Sequence, residues 1–222
     1  MSDQLVLEYK EIKINIGLEK MRKELVESKI NQAVNFHLNN ATSSSFHIYY
    51  LKIQKNKKFF LESNNFFSEF KSKYSLQGID NKCLDQFESN KKLILDLIDE
   101  NKLMILYMNH FVAREIKSKE KIVNKDLDSF YSKFLHTFIP EKYPALDNPI
   151  KKYLGFKKDS FLFSFFCISE LYSLFIETNP KLMKQIRNAF IEQDKLNTFN
   201  SNTLTDIKLL DLILWKFANV ED

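Results

Sequence analysis

Glycine occurs three times in 222 residues, proline four times and cysteine twice. So little glycine argues against β-sandwiches, propellers and nucleotide-cradling α/β folds, whose tight turns need backbone free to take positive φ. Cys83 and Cys167 are too few and too far apart for a zinc site of the paired-cysteine kind. Cys167 sits in an apolar run and reads as a small buried hydrophobe. Arginine is confined to Arg22, Arg114 and Arg187, so nearly all of the 33 cations are lysine. Lysine neutralises phosphate as a point charge and lacks the fork that reads base edges. An AT-rich coding sequence produces the same excess, and a net charge of +4 permits nucleic-acid contact without demanding it. The opening MSDQLVLEYKEIK lacks the basic-then-apolar order of a secretory signal. The most apolar stretch, 161–176, falls short of the ~20 residues that cross a bilayer and contains Glu170. A core helix and a cytoplasmic protein with no membrane partner are expected.

Hydrophobic residues make up 44% of the chain and charged residues 28%, a composition that folds. The length suits one domain over 1–222, able to bury roughly 70% of its unfolded surface without disulfide or metal. Weak alternation of Leu5, Leu7, Tyr9, Ile12, Ile14 and Ile16 predicts a short extended segment, ended by Gly17. Apolar residues at helical spacing predict a helix over 18–38, and the NNATSSS run at 39–45 reads as a polar loop. Helices are expected over 80–98 and 101–119, with Asp126 capping the next, which carries Leu127 to Phe138. A short helix over 149–154 follows, with Asp147 or Asn148 as N-cap, Pro149 in its first turn and Gly155 at its end. Further helices are expected over 159–177, from Pro180 to 195, and over 204–218. The fold class is therefore all-α: one bundle of about eight to nine helices behind a short extended N-terminal segment.

Several constellations bear on function. Residues 46–74 interleave aromatic and lysine side chains, which suits either base stacking over a phosphate-neutralising row or, at helical spacing, a hydrophobic core. His37 and His47 lack partners at metal-ligand spacing, so no metal and no cofactor are expected. His110 and Arg114 form an i, i+4 pair. Their order is the reverse of the Arg-then-His order of HEPN-type ribonucleases. Arg187-Asn188 begins that order, but Glu192 and Gln193 stand where its histidine would fall.

The most informative segment is 126–156. Its skeleton is Ser132-Lys133 on a helix, then Pro140-x-x-Tyr143-Pro144-x-x-Asp147, continuing through Pro149 to Gly155. Three prolines within ten residues make a rigid connection between a helix-borne lysine and a cap-borne aspartate. A helix N-terminus stabilises such an anion by about 0.3–1 kcal/mol. Lys133 and Asp147 read either as a structural ion pair or helix cap or as a catalytic pair. His136, three residues beyond Lys133, reads as a phosphate donor or as a core histidine. Lys151, Lys152, Lys157 and Lys158 flank the Asp147 turn as candidate phosphate contacts.

This segment resembles small bacterial helical proteins with the fold of the helix-hairpin-helix and 8-oxoguanine DNA glycosylases. The carrying phrase is Pro144-Ala145-Leu146-Asp147-Asn148-Pro149-Ile150-Lys151-Lys152-Tyr153-Leu154-Gly155. The resemblance covers about an eighth of the chain. It does not extend to the family's glycine-rich hairpin, since no glycine lies between Gly78 and Gly155. It implies a DNA-glycosylase-like fold and a DNA-repair protein acting on a modified or damaged base extruded from the duplex. In that reading Asp147 stabilises positive charge on the sugar and Lys133 stands near the Schiff-base lysine of a glycosylase/lyase. Lys151, Lys152, Lys157, Lys158 and His136 would then contact DNA. The alternative is a non-catalytic helical subunit that binds a protein partner in a bacterial multi-component system such as phage defence. That reading predicts an exposed apolar patch from the aromatic residues of 59–74.

Overall fold

The computed structural model describes residues 3–76, 78–118, 121–195, 197 and 199–219. Among them are thirteen α-helices, one 3-10 turn and a single two-stranded hairpin, so the protein is all-α in class with more and shorter helices than expected. The chain packs as two compact units, 1–45 with 139–222, and 46–138.

The first unit contains α1 (Asp3–Glu24), α2 (Glu27–Asn39), α10 (Asn148–Tyr153), α11 (Phe161–Thr178), α12 (Pro180–Gln193), a 3-10 turn (Ser201–Thr203) and α13 (Asp206–Ala218). Its centre is α13, which packs against α2, α10, α11 and α12 and buries Ile207, Leu209, Leu210, Ile213 and Leu214. The extended segment expected at 5–16 is instead the first half of α1. This helix buries Ile14, Leu18 and Met21 at i, i+4, i+7, while Leu5, Leu7, Ile12 and Ile16 face solvent. Apolar residues on the outer face, set among the polar ones, produced the apparent alternation. Gly17 does not break the chain: it lies inside α1, where a Cβ would stand 2.6 Å from Cδ2 of buried Leu171 on α11. Among the described residues α11 is the one helix long and apolar enough to span a bilayer; here its Phe165, Ile168, Leu171, Tyr172 and Phe175 are buried.

The turn after Pro140 folds as its residues dictate. Asp147 is the N-cap of α10, its Oδ1 accepting the Ile150 N–H at 3.1 Å, and Pro149 occupies the first turn. At the other end Gly155 takes φ +86°. The Phe156 N–H donates to the Lys151 carbonyl at 2.7 Å and the Gly155 N–H to the Lys152 carbonyl at 3.2 Å, a Schellman closure. A Cβ at Gly155 would meet nothing within 4 Å, so its cost is purely conformational. Gly155→Ala is expected to lower stability by about 1–2 kcal/mol in urea denaturation, with secondary structure unchanged.

Titratable side chains are buried in this core. Lys208 and Asp211, both inward on α13, stand 3.7 Å apart (Nζ to Oδ2). His37 on α2 donates from Nε2 to the Leu212 carbonyl at 2.9 Å, and its Nδ1 lies 3.4 Å from Ser43 Oγ.

The second unit follows α3 (Ala41–Lys55) with α4 (Lys57–Glu62), α5 (Phe66–Lys73), α6 (Asn81–Ser89), α7 (Lys91–Asp99), α8 (Leu103–His110), β1 (Arg114–Ser118), β2 (Lys121–Lys125) and α9 (Asp128–Phe138). The loop expected at 39–45 is helical from Ala41, because Asn40 caps α3 by accepting the Ser43 N–H at 3.0 Å. The helix expected over 80–98 breaks at Asn90 into α6 and α7, and the former is capped by Asp80 on the Cys83 N–H. The helix expected over 101–119 ends at His110. Ala113 takes φ +48°, and the chain turns into an antiparallel hairpin that pairs Arg114 with Lys125 and Ser118 with Lys121. Asp126 does not cap α9; it accepts the Ala113 N–H at 2.7 Å and closes the base of the hairpin.

The aromatic stretch forms this unit's core. Phe60, Phe66, Phe67 and Phe70 are buried, with Phe60 edge-on to Phe66 at 4.7 Å and Phe67 stacked on Phe134 at 5.7 Å. These rings are spent on packing, each such pair adding about 0.5–1.5 kcal/mol beyond area burial. Phe60, Phe66, Phe67 and Phe70 therefore supply neither a base-stacking row nor the exposed patch expected from 59–74.

Candidate functional site

The two residues placed at the centre of the sequence motif fall in different units. Asp147 is half-buried in the first unit at the mouth of α10, and Lys133 is half-buried on α9 in the second. His136 is fully buried, its ring stacked on Tyr50 at 5.7 Å. It takes the core role, and a side chain closed to solvent has no surface to offer a phosphate.

The four flanking lysines separate by role. Lys151 is half-buried, and its Nζ donates to the Asp159 carbonyl at 2.9 Å, bracing the turn that ends α10. Lys157 and Lys158 are exposed on that turn. The turn is further pinned to α1, whose Lys13 pairs with Asp159 at 3.0 Å and whose Tyr9 donates to the same carboxylate at 2.8 Å. Lys152 is exposed and lines a cavity.

That cavity, about 450 Å³ within the first unit, is where cationic side chains converge. Lys20 comes from α1, Lys29 from α2, Lys152 from α10 and Lys216 from the end of α13, against one carboxylate, Glu24. The cations are supported by aromatic rings: Lys20 Nζ stands 4.1 Å above the Tyr153 ring and Lys216 Nζ 4.1 Å above Phe36. Lys29 pairs with Glu24 and holds its carboxyl below the usual range, so the one anion at the rim stays ionised. The Tyr153 hydroxyl is closed to water and has no hydrogen-bond partner. Burial, with the Glu24 charge adding to it, raises its pKa, so it remains a neutral donor. The arrangement can hold an anionic ligand through the charge of its lysines.

Sequence reasoning found Lys152 and missed Lys20, Lys29 and Lys216. Each of the three reads as an ordinary lysine of its own helix. Only the fold, with α1 on α11 and with α2, α10 and α11 on α13, brings them to one rim, and no local spacing announces that. Among the described residues, no group of three or more His, Cys, Asp or Glu side chains gathers as a metal site. Compared with protein-family models, with curated proteins and with solved structures, the chain matches none of them.

Proposed function

We propose that the protein binds DNA through its phosphate backbone, with the lysine-rimmed cavity of the first unit as the contact site. The carrying observation is the convergence of Lys20, Lys29, Lys152 and Lys216 from four helices on one cavity against a single carboxylate. Lysine suits this task because backbone contact needs point charge rather than a base-reading fork. Exposed Lys157 and Lys158 extend the positive surface beyond the rim.

Binding carried this way depends steeply on salt, because each neutralised phosphate releases condensed counterions. Fluorescence anisotropy with a labelled duplex is expected to give a linear fall of log affinity with log salt. The Lys20→Gln, Lys152→Gln, Lys216→Gln variant should flatten that slope by about two to three, near 0.9 for each lost contact. An unchanged slope would remove the cavity from the interface.

The stronger form of the proposal is base excision within a DNA-glycosylase-like fold, with Lys133 as Schiff-base amine and Asp147 stabilising charge on the sugar. It draws on the 132–155 resemblance and on the cap position of Asp147. Borohydride treatment on a duplex with an abasic site should trap a covalent adduct that Lys133→Gln abolishes while salt-dependent binding persists. Binding without an adduct removes Lys133 as a Schiff-base amine and leaves a DNA-binding protein with no lyase step.

The second reading, a helical interaction subunit, is favoured by one observation. Leu5, Tyr9, Ile12 and Ile16 follow i, i+4, i+7, i+11 along α1 and are all exposed, an apolar stripe on a single helix face. A protein that ignores DNA at low salt and purifies with a stoichiometric partner would fit this reading instead.

A further inference from the structure

A second cavity, of about 320 Å³, lies wholly within the second unit, where α6, the end of α8 and the start of β1 meet. Its lining is polar apart from Phe87: Gln86, Asn90, Asn109, His110 and Arg114. No acidic side chain takes part, so its one permanent charge is the Arg114 guanidinium. One terminal nitrogen of that group donates to Gln86 Oε1, which fixes the plane of the fork. Its Nε is closed to water and has no hydrogen-bond partner, and the same holds for Nε2 of His110. Two such atoms beside one cavity are notable, because an unmet buried donor costs about 1–3 kcal/mol and most folds avoid it.

From this geometry we infer that the cavity is a binding site for a phosphate-type oxyanion, free or as the monoester of a nucleotide. A planar fork and a neighbouring imidazole match an oxyanion's several acceptor positions, and the guanidinium supplies the counter-charge. Burial, and then the Arg114 charge, lower the pKa of His110, so its imidazole is neutral near pH 7 and leaves the guanidinium as the site's one charge. The amides of Gln86, Asn90 and Asn109 add donors and acceptors around the rim, and Phe87 gives an apolar floor. The site shares no residue with the lysine-rimmed cavity and stands or falls separately from it.

The test is titration of the whole protein with inorganic phosphate, with a nucleoside monophosphate and with the unphosphorylated nucleoside, read by calorimetry and by the ring resonances of His110. Saturable binding of a phosphorylated probe with displacement of those resonances is expected, and none with the nucleoside. A tighter monoester identifies a nucleotide site, and equal affinities identify a site for free phosphate; both uphold the assignment. Arg114→Gln should weaken binding about tenfold or more, the loss of one charge-assisted contact. Arg114→Lys, which keeps the charge and loses the fork, should fall between and guards against a folding defect. The shift at the His110 ring is the deciding readout, since an anion held by the lysine-rimmed cavity would add heat without moving it. No saturable shift at His110 with either phosphorylated probe, or undiminished binding by folded Arg114→Gln, overturns the inference.

Discussion

Asp211→Ala is expected to destabilise the protein by about 3–5 kcal/mol, a large share of a normal folding free energy. The reason lies in what the substitution leaves behind. Lys208 is 2% exposed, and burial already lowers its pKa while Asp211 works in the opposite direction. Without that carboxylate the buried ammonium loses the charge 3.7 Å away that offsets its burial, and it must either stay charged at a cost or surrender its proton. The paired replacement Lys208→Met with Asp211→Leu removes both charges and should recover most of the loss, since similar-volume apolar pairs often match or exceed a buried ion pair. Urea denaturation of Lys208→Met, of Asp211→Leu and of the double variant gives the coupling directly. A loss below about 1 kcal/mol for Asp211→Ala would mean that water reaches the pair.

The second large effect concerns acid. His37 is buried, and burial first, aided by the charges of Lys208 and Lys216 and opposed by its bond to the Leu212 carbonyl, brings its pKa down to about 4 from an ordinary 6.5. The unfolded chain therefore takes up a proton near pH 6.5 that the folded protein refuses until about pH 4. Stability associated with this histidine is complete above pH 6.5 and declines as pH falls to 4. Over that window the loss approaches about 3 kcal/mol, at about 1.4 kcal/mol per pH unit. His37→Gln, which keeps a donor for the Leu212 carbonyl and cannot titrate, should flatten this limb. The quantity to compare is the difference between wild-type and variant stabilities at pH 7 and pH 4.5, because carboxylates such as Glu24 contribute equally to both. Parallel pH profiles would show that His37 is hydrated.

The C-terminal part of the fold was readable because its punctuation is local. Asp147, Pro149 and Gly155 bracket α10, and Pro180 opens α12, so each boundary is written in the residues that form it. The N-terminal part was not. Along α1 the outward Leu5, Ile12 and Ile16 are as apolar as the inward Ile14 and Leu18, and a pattern without contrast carries no face. The passage from α8 into the hairpin escaped for a related reason: Val112 and Ala113 are compatible with a helix, and the turn is secured by Asp126, thirteen residues beyond Ala113. The same gap hid the function-bearing geometry. His110 and Arg114 were visible as a pair, yet as neighbours on a helix face; their common cavity depends on Arg114 having left the helix for β1.

Residues 46–138 interrupt the first unit, and this has a consequence for synthesis. Asn31 meets Gln193 across 162 positions, and His37 meets Leu212 across 175. On the ribosome, α1 and α2 emerge first and find no partner, while the inserted unit is complete as soon as Phe138 clears the exit tunnel. The nascent chain must then carry Ile30, Ala33 and Val34 uncovered until α12 and α13 arrive, so the interrupted unit closes after the one inserted in it.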